Sequence, residues 1–338
     1  MQTAPGIPPR LAADWIHAVI EAGRTTYSGT IVDRMTLTGS LSASENWQNE
    51  NTLMLPAQFL SRSSRLSNER GIGMRYRLMS LWPINKENGP GSKVIETGFK
   101  KIVEHPDQPF SWVVQSGGRW YFQAIYPDLA VNDSCVNCHN GHPDSPRRDF
   151  KRGDVMGGIL INLPLGLHRM ASPPEKPLLA PEVVTDYIHS VIESDRTIYS
   201  RDIVDRLQEK NVMKSSEHWS VENSLPLPAQ FLLSVSRLIH KQRKDLDFRL
   251  TSLWPIDPRN GPANEFERLG LESVAMHPIR PYIGQTRLGG KHFFQAIYPD
   301  LAVAPSCANC HNNHPRSPRR DFALGDVMGG IVVTIRTD

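Results

Sequence analysis

Asp14 falls on Asp186, Trp47 on Trp219, Pro56 on Pro228, Trp82 on Trp254, His105 on His277 and Cys135 on Cys307, so one offset of 172 residues lays the halves of this 338-residue chain over each other without a gap. Close to half of the positions aligned from Arg10–Gly166 against Glu182–Asp338 are identical. The period is a whole domain long, far beyond the roughly 20–50 residues of a solenoid repeat. A chain written this way has to make one fold twice, and the expected division is domain 1 over residues 1–172 and domain 2 over residues 173–338. Between the copies, the linker 164–181 carries five prolines. It cannot be a regular helix or a central strand and is expected to act as a semi-rigid spacer.

Each copy contains Cys-x-x-Cys-His once, as Cys135-Val136-Asn137-Cys138-His139 and Cys307-Ala308-Asn309-Cys310-His311, and the two together use all four cysteines. Paired thiols at this spacing can bond the two vinyl groups of a haem while the following imidazole ligates the iron. Two covalent c-type haems are therefore expected, with His139 and His311 as proximal ligands. The competing readings are half a zinc site or a thioredoxin-like thiol pair. Zinc would call for further ligands at knuckle spacing, and a redox pair would not call for a histidine in both copies.

Composition places few other limits. Hydrophobic content of 39% and charged content of 22% are those of a soluble globular protein, and a net charge of +3 points to no polyanion, so no nucleic-acid partner is expected. No stretch approaches the roughly 20 uninterrupted apolar residues that span a bilayer, and the first ten residues do not read as a signal peptide. Covalent haem is attached outside the bacterial inner membrane, so the expectation is a periplasmic protein from which a secretion signal has been removed.

Local periodicity suggests how each copy folds. Leu11 to Ile31 has the period of a helix, with His17, Ile20, Arg24, Tyr27 and Ile31 assigned to one face, and His189, Ile192, Arg196, Tyr199 and Ile203 repeat it. A second helix is expected from Pro56. Met74 to Trp82 alternates as a strand, and Ser111 to Tyr126 reads as two strands joined at Gly117-Gly118, matched by Gly289-Gly290. Gly153-Asp154 and Gly325-Asp326 should turn into a last apolar strand. An α+β fold follows, with a mixed antiparallel sheet and flanking helices in each copy, resembling a PAS domain.

The block from Cys138 to Ile159, with Arg24-Thr-Thr-Tyr27, Leu55-Pro-Ala-Gln-Phe59 and Tyr76 to Asn85, resembles the c-haem-binding, PAS-like sensor family found alone in some bacteria and fused in others to adenylate cyclases, histidine kinases and chemoreceptors. The resemblance covers nearly all of each half. It implies a haem c in each PAS-like pocket and the chemistry of a redox or diatomic-gas sensor. Unlike the fused members, this chain is expected to lack a membrane helix and an output domain after its last strand.

The group opposite the proximal histidine decides what such a haem does. Four histidine pairs survive the offset: 17/189, 105/277, 139/311 and 142/314; His168, His218, His240 and His292 have no counterpart and are assigned to the surface. His17 and His189 are candidate distal ligands, or half-buried histidines satisfied by backbone. Tyr27 and Tyr199, inside the segment that carries the resemblance, are expected to line the pocket. Arg24 and Arg196 are expected to pair with a haem propionate, or to be ordinary carboxylate-paired arginines. His105 and His277 read as helix ends, and His142 and His314 follow the proximal ligand too closely to reach the other face. Met156 and Met328, the only methionines paired across the repeat, are core residues or axial ligands. Arg147-Arg148-Asp149 and Arg319-Arg320-Asp321 are propionate partners or a solvated loop.

The leading functional expectation is a soluble di-haem c-type cytochrome that senses redox state or binds a diatomic gas such as NO or CO. The alternative is a periplasmic electron-transfer cytochrome with a redox partner protein. Peroxidase-like or nitrogen-oxide chemistry comes third, since His17 with Arg24 is the sole suggestion of a distal acid–base pair. No catalytic residue is assigned.

Overall fold

The segments with a period of two become two separate sheets. The computed structural model describes residues 5–131, 133–166 and 171–338, so His168 lies outside the described residues. In the first repeat, β1 (Arg75–Met79), β2 (Phe110–Ser116), β3 (Arg119–Leu129) and β4 (Val155–Pro164) take the order β1-β4-β3-β2. In the second, β5 (Leu246–Thr251), β6 (Tyr282–Leu288), β7 (Lys291–Leu301) and β8 (Val327–Arg336) take the equivalent order β5-β8-β7-β6. All neighbours in both sheets are antiparallel. Parallel pairing is confined to two-residue bridges, Ala43–Ser44 with Leu53–Met54 and Ser215–Ser216 with Leu225–Pro226. The α+β class is as expected.

The hairpins form where two glycines permit them. Gly117 and Gly118 have φ of 58° and 78°, and Gly289 and Gly290 have 56° and 81°. A two-residue turn whose twist matches the strands needs positive φ at both central positions, which only glycine adopts without cost.

The longer helices of the first repeat are α1 (Pro9–Thr25), α2 (Pro56–Glu69), α3 (Lys93–Glu104) and α4 (Asp133–Gly141); those of the second are α5 (Pro181–Ile198), α6 (Pro228–Gln242), α7 (Glu265–Met276) and α8 (Pro305–Asn313). The Ser92 hydroxyl accepts from the Ile95 amide to start α3, and the helix stops at His105, before Pro106. One face of α3 places Phe99 and Ile102 against Met79, Ile125 and Leu160 of the sheet, and α7 places Leu271 and Val274 against Ile297 and Val332. Burying each such side chain stabilises the fold by about 1.5–3 kcal/mol. The approach is close enough that a Cβ at Gly98 would collide with Ile125 and Phe110.

Beyond Thr25 and Ile198 the first helix of each repeat widens into π winding, Thr26–Asp33 and Tyr199–Asp205. This is why one expected face does not hold together. Ten residues separate His17 from Tyr27, about 1000° of α winding and so about 80° short of three full turns, and the wider winding adds to the offset.

Packing divides the chain differently from the covalent repeat. Ala18–Ser63 groups with Ala180–Asp338 in one compact unit, and Pro8–His17 groups with Ser64–Leu179 in the other. Inside the first of these, Asp195 is buried and accepts a hydrogen bond from the Ser63 hydroxyl. Burial pushes its carboxyl up to about 7, with the Ser63 bond acting in the opposite direction. The native state then holds this proton in a range where the unfolded chain, ionising near 4, has lost it. Stability from Asp195 is therefore fully present below about pH 4 and is lost as pH rises through about 7. Urea unfolding at pH 5 and pH 8 should differ by a term on the order of 3 kcal/mol, and Asp195→Asn should remove that term.

Candidate functional site

The motif residues sit on short helices, α4 and α8. Cys135, Cys138 and His139 are i, i+3 and i+4, and so are Cys307, Cys310 and His311, which puts two thiols and one imidazole on a single helix face. None of the four cysteines forms a disulfide. Burial pushes the Cys307 and Cys310 thiols up. A thioredoxin-like pair needs the opposite, a thiol pulled down into the thiolate range.

A clip holds the following loop against the motif histidine. The Asn140 amide donates to the Phe150 carbonyl at 2.9 Å and accepts from its N–H at 3.0 Å; Asn312 does the same to Phe322 at 2.8 and 2.9 Å. Phe150 is thereby fixed edge-on to His139, with ring centroids 5.7 Å apart, and Phe322 to His311 at 5.6 Å. Trp82 and Trp254 close the aromatic wall at 5.7 and 6.0 Å from the same phenylalanines. Met156 and Met328 pack into these walls, in clusters that include Cys135 and Cys307 respectively.

The Arg-Arg-Asp loops are occupied in holding their own shape. The Arg147 guanidinium lies 4.6 Å over Trp82 and 4.4 Å over Phe150 and pairs with Asp149 at 2.7 Å; Arg319 lies 4.7 and 4.4 Å over Trp254 and Phe322 and pairs with Asp321 at 2.7 Å. Arg148 and Arg320 donate to the Pro143 and Pro315 carbonyls. His142 and His314 accept backbone amides through Nδ1, from Asp144 and Arg316, and so cap a turn.

On the polar side of the second site, Arg196 pairs with Asp300 at 2.7 Å and donates to the Leu301 carbonyl at 3.0 Å. Asp300 stands at a β-bulge where β7 pairs with β8, an irregularity that re-aims a side chain at a sheet's end. Burial pushes the Asp300 carboxyl up, the Arg196 charge pulls it back down, and Glu193 adds a smaller upward push. Burial lowers the His311 imidazole, and the Arg196 and His314 charges lower it further. His139 is lowered by burial too, against the opposing charge of Asp128. Both shifts favour the neutral imidazole, the form that ligates a metal.

The expected distal candidates separate. His17 stacks face to face on Tyr126 at 4.1 Å, and His189 on Tyr298 at 3.9 Å. The two tyrosine hydroxyls donate to Asp14 at 2.6 Å and Asp186 at 2.7 Å. His189 Nε2 lies 3.4 Å from the Glu193 carboxylate. Tyr27 and Tyr199, assigned to the pocket from sequence, are instead fully buried core residues. They donate to the Met54 and Pro226 carbonyls at 2.9 and 2.8 Å and stack on Phe59 and Phe231 at 4.3 and 4.6 Å. Helix winding turns them off the face that carries His17 and His189. Arg24 and Arg196 are both buried; Arg196 is a carboxylate-paired arginine whose charge reaches Cys307 and His311.

Sequence reasoning passed over Asp128 and Asp300, Asn140 and Asn312, and Phe150 and Phe322 as site residues. A signal existed: an aspartate interrupts the otherwise apolar Tyr-Pro-Asp-Leu-Ala run just ahead of each motif.

The residues present fit a covalently held haem. Two thiols and an imidazole share a face, and the Nδ1 atoms of both His139 and His311 are buried with no hydrogen-bond partner among the described residues. Among those residues, no three or more His, Cys, Asp or Glu side chains group as a metal-ion site.

The model of the Tll0287-like family matches residues 11–164 and again residues 181–336. No curated protein matches the chain. A solved structure titled the crystal structure of the cyanobacterial heme-protein Tll0287 aligns with 47% of this chain and 98% of its own, at 14% identity and a TM-score of 0.30.

Proposed function

From the premise that this chain belongs to the Tll0287-like family, which it carries in two copies, we propose that it is a di-haem c-type cytochrome whose pockets sense redox state or bind a diatomic gas. The observation that carries this reading is the single helix face that presents Cys135, Cys138 and His139, and again Cys307, Cys310 and His311. Haem bound there would supply reversible one-electron chemistry and an axial position for a small ligand. The cysteines would hold it, His139 and His311 would ligate it, and the Asn140 and Asn312 clips would fix the aromatic edge that orients each imidazole. The buried Arg196–Asp300 pair would place a fixed dipole beside the second site.

Sensing is put ahead of simple electron relay on the resemblance to the c-haem-binding, PAS-like sensor family, and a relay would need His17 and His189, or Met156 and Met328, as permanent sixth ligands. His189 is stacked on Tyr298 and faces Glu193, and His17 is stacked on Tyr126. No helix among the described residues is long and apolar enough to cross a membrane. A periplasmic location accords with covalent haem attachment, and an unidentified redox partner or a gas would be the signal.

Absorption spectra of protein made with c-haem maturation test the reading. The ferrous Soret band is expected to shift on adding CO. A sharp low-spin ferrous spectrum untouched by CO would overturn the sensor and favour the electron carrier.

A further inference from the structure

Within the unit formed by Ala18–Ser63 and Ala180–Asp338, helices from the two repeats meet by a two-fold rule. Arg34 lies 5.0 Å over the Trp219 ring and donates to the Glu222 and Ser224 carbonyls. Arg206 lies 5.0 Å over the Trp47 ring and donates to the Glu50 and Thr52 carbonyls. Each partner in one set is the repeat equivalent of its partner in the other: 34 and 206, 47 and 219, 50 and 222, 52 and 224. Reciprocal contacts of this kind define an isologous interface, and a residue that touches its own equivalent marks the axis. Phe59 and Phe231, equivalents, meet edge to face at 5.9 Å.

Gly23 and Asp195 are also equivalents that meet: a Cβ added at Gly23 would collide with the Asp195 carboxylate. Here the repeats differ. The acid comes from the second repeat, and the space for it comes from the first. The hydroxyl that satisfies the acid, Ser63, also comes from the first repeat, and its equivalent in the second is Val235. Ser63, Asp195 and Val235 are all buried.

We infer that Gly23, Ser63, Asp195 and Val235 form a pairing key, which fits this surface of the first repeat to the second repeat of the same chain and not to a like copy. Second repeat on second repeat would bring two buried carboxyls together on the axis with two valines in place of the serine hydroxyls, a pair that cannot ionise together and would have to hold its protons against solvent, at high cost above about pH 7. First on first would leave a void between two glycines and two serine hydroxyls without their acceptor. A homodimer cannot be asymmetric on its own axis; a duplicated chain can. The inference is independent of the cofactor.

The full-length, haem-loaded chain tests it through three variants. Gly23→Asp with Ser63→Val recreates the second-on-second axis, Asp195→Gly with Val235→Ser recreates the first-on-first axis, and all four changes together exchange the key between repeats. In urea unfolding the first variant is expected to lose about 100-fold or more in its folded-to-unfolded ratio and the second about tenfold, while the fourfold exchange returns to within about tenfold of the parent. Parent-like stability of the first variant would overturn the inference. So would a fourfold exchange no more stable than the first variant, and this comparison stands even where the first variant does not accumulate folded.

Discussion

If each motif holds a haem as proposed, Cys307→Ala with Cys310→Ala is expected to remove one of two covalently held haems and leave the other. A thioether needs the thiol sulfur, and Cys307 and Cys310 stand one helical turn apart on the face that also carries His311, so no neighbouring group can take their place. The effect is all or none at one site, because the first copy has its own thiols on its own helix, α4. Cys135→Ala with Cys138→Ala should do the same at the other site, and the fourfold variant should hold no covalent haem. Intact mass under denaturing conditions, with a haem stain of the unfolded chain, reads the count. An unchanged count in the Cys307/Cys310 variant would defeat the c-type assignment for that site. Any haem that remains noncovalently in these variants tests a separate matter, ligation by His311.

Arg196→Met is expected to cost about 3–5 kcal/mol at pH 7.5, because it strands the Asp300 carboxylate in the interior. The two groups are 2.7 Å apart and nearly inaccessible, with side-chain exposures of 6% and 13%. Methionine keeps the length of the side chain and removes both the charge and the bond to the Leu301 carbonyl. The pH dependence has a definite sign. Burial already pushes Asp300 up, and losing Arg196 removes the charge that pulls it back down, so the native state of the variant binds its proton at higher pH than the unfolded chain does. The penalty should therefore be small near pH 4 and grow as pH rises through the folded value. Urea midpoints of parent and variant at pH 5 and pH 7.5 check this; a penalty that does not depend on pH would mean that lost packing dominates. Arg196→Met with Asp300→Leu should recover most of the loss.

Much of this protein was legible from its residues, for reasons that are local. The duplication is a property of the text. The hairpins at Gly117-Gly118 and Gly289-Gly290 follow from backbone freedom that other residues lack, and α2 and α6 begin at Pro56 and Pro228, where a missing amide is harmless. The alternation in β1 and the apolar run of β4 identify strands because side chains on a strand alternate between faces. The motif itself singled out His139 and His311 as the candidate proximal ligands.

Other features depended on what covers a surface, and periodicity is silent about that. Tyr27 and Tyr199 belong to a real helix, yet ten residues of winding and a π turn carry them off the face shared with His17 and His189, into contact with Phe59 and Phe231. Asp300 became a site residue because a bulge aims it at Arg196, which lies more than a hundred positions away in sequence. Arg147 and Arg319 turned from candidate propionate partners into loop braces once their aromatic neighbours were in place. The pairing of Gly23 with Asp195 required knowing that the two repeats meet about a local axis, on which one position sees its own equivalent. The sequence by itself determined the repeat, the sheets and the two Cys-x-x-Cys-His motifs, since these rest on spacing along the chain. Tertiary structure alone decided which side chains share a pocket and which share an axis, because those contacts join residues that only packing brings together.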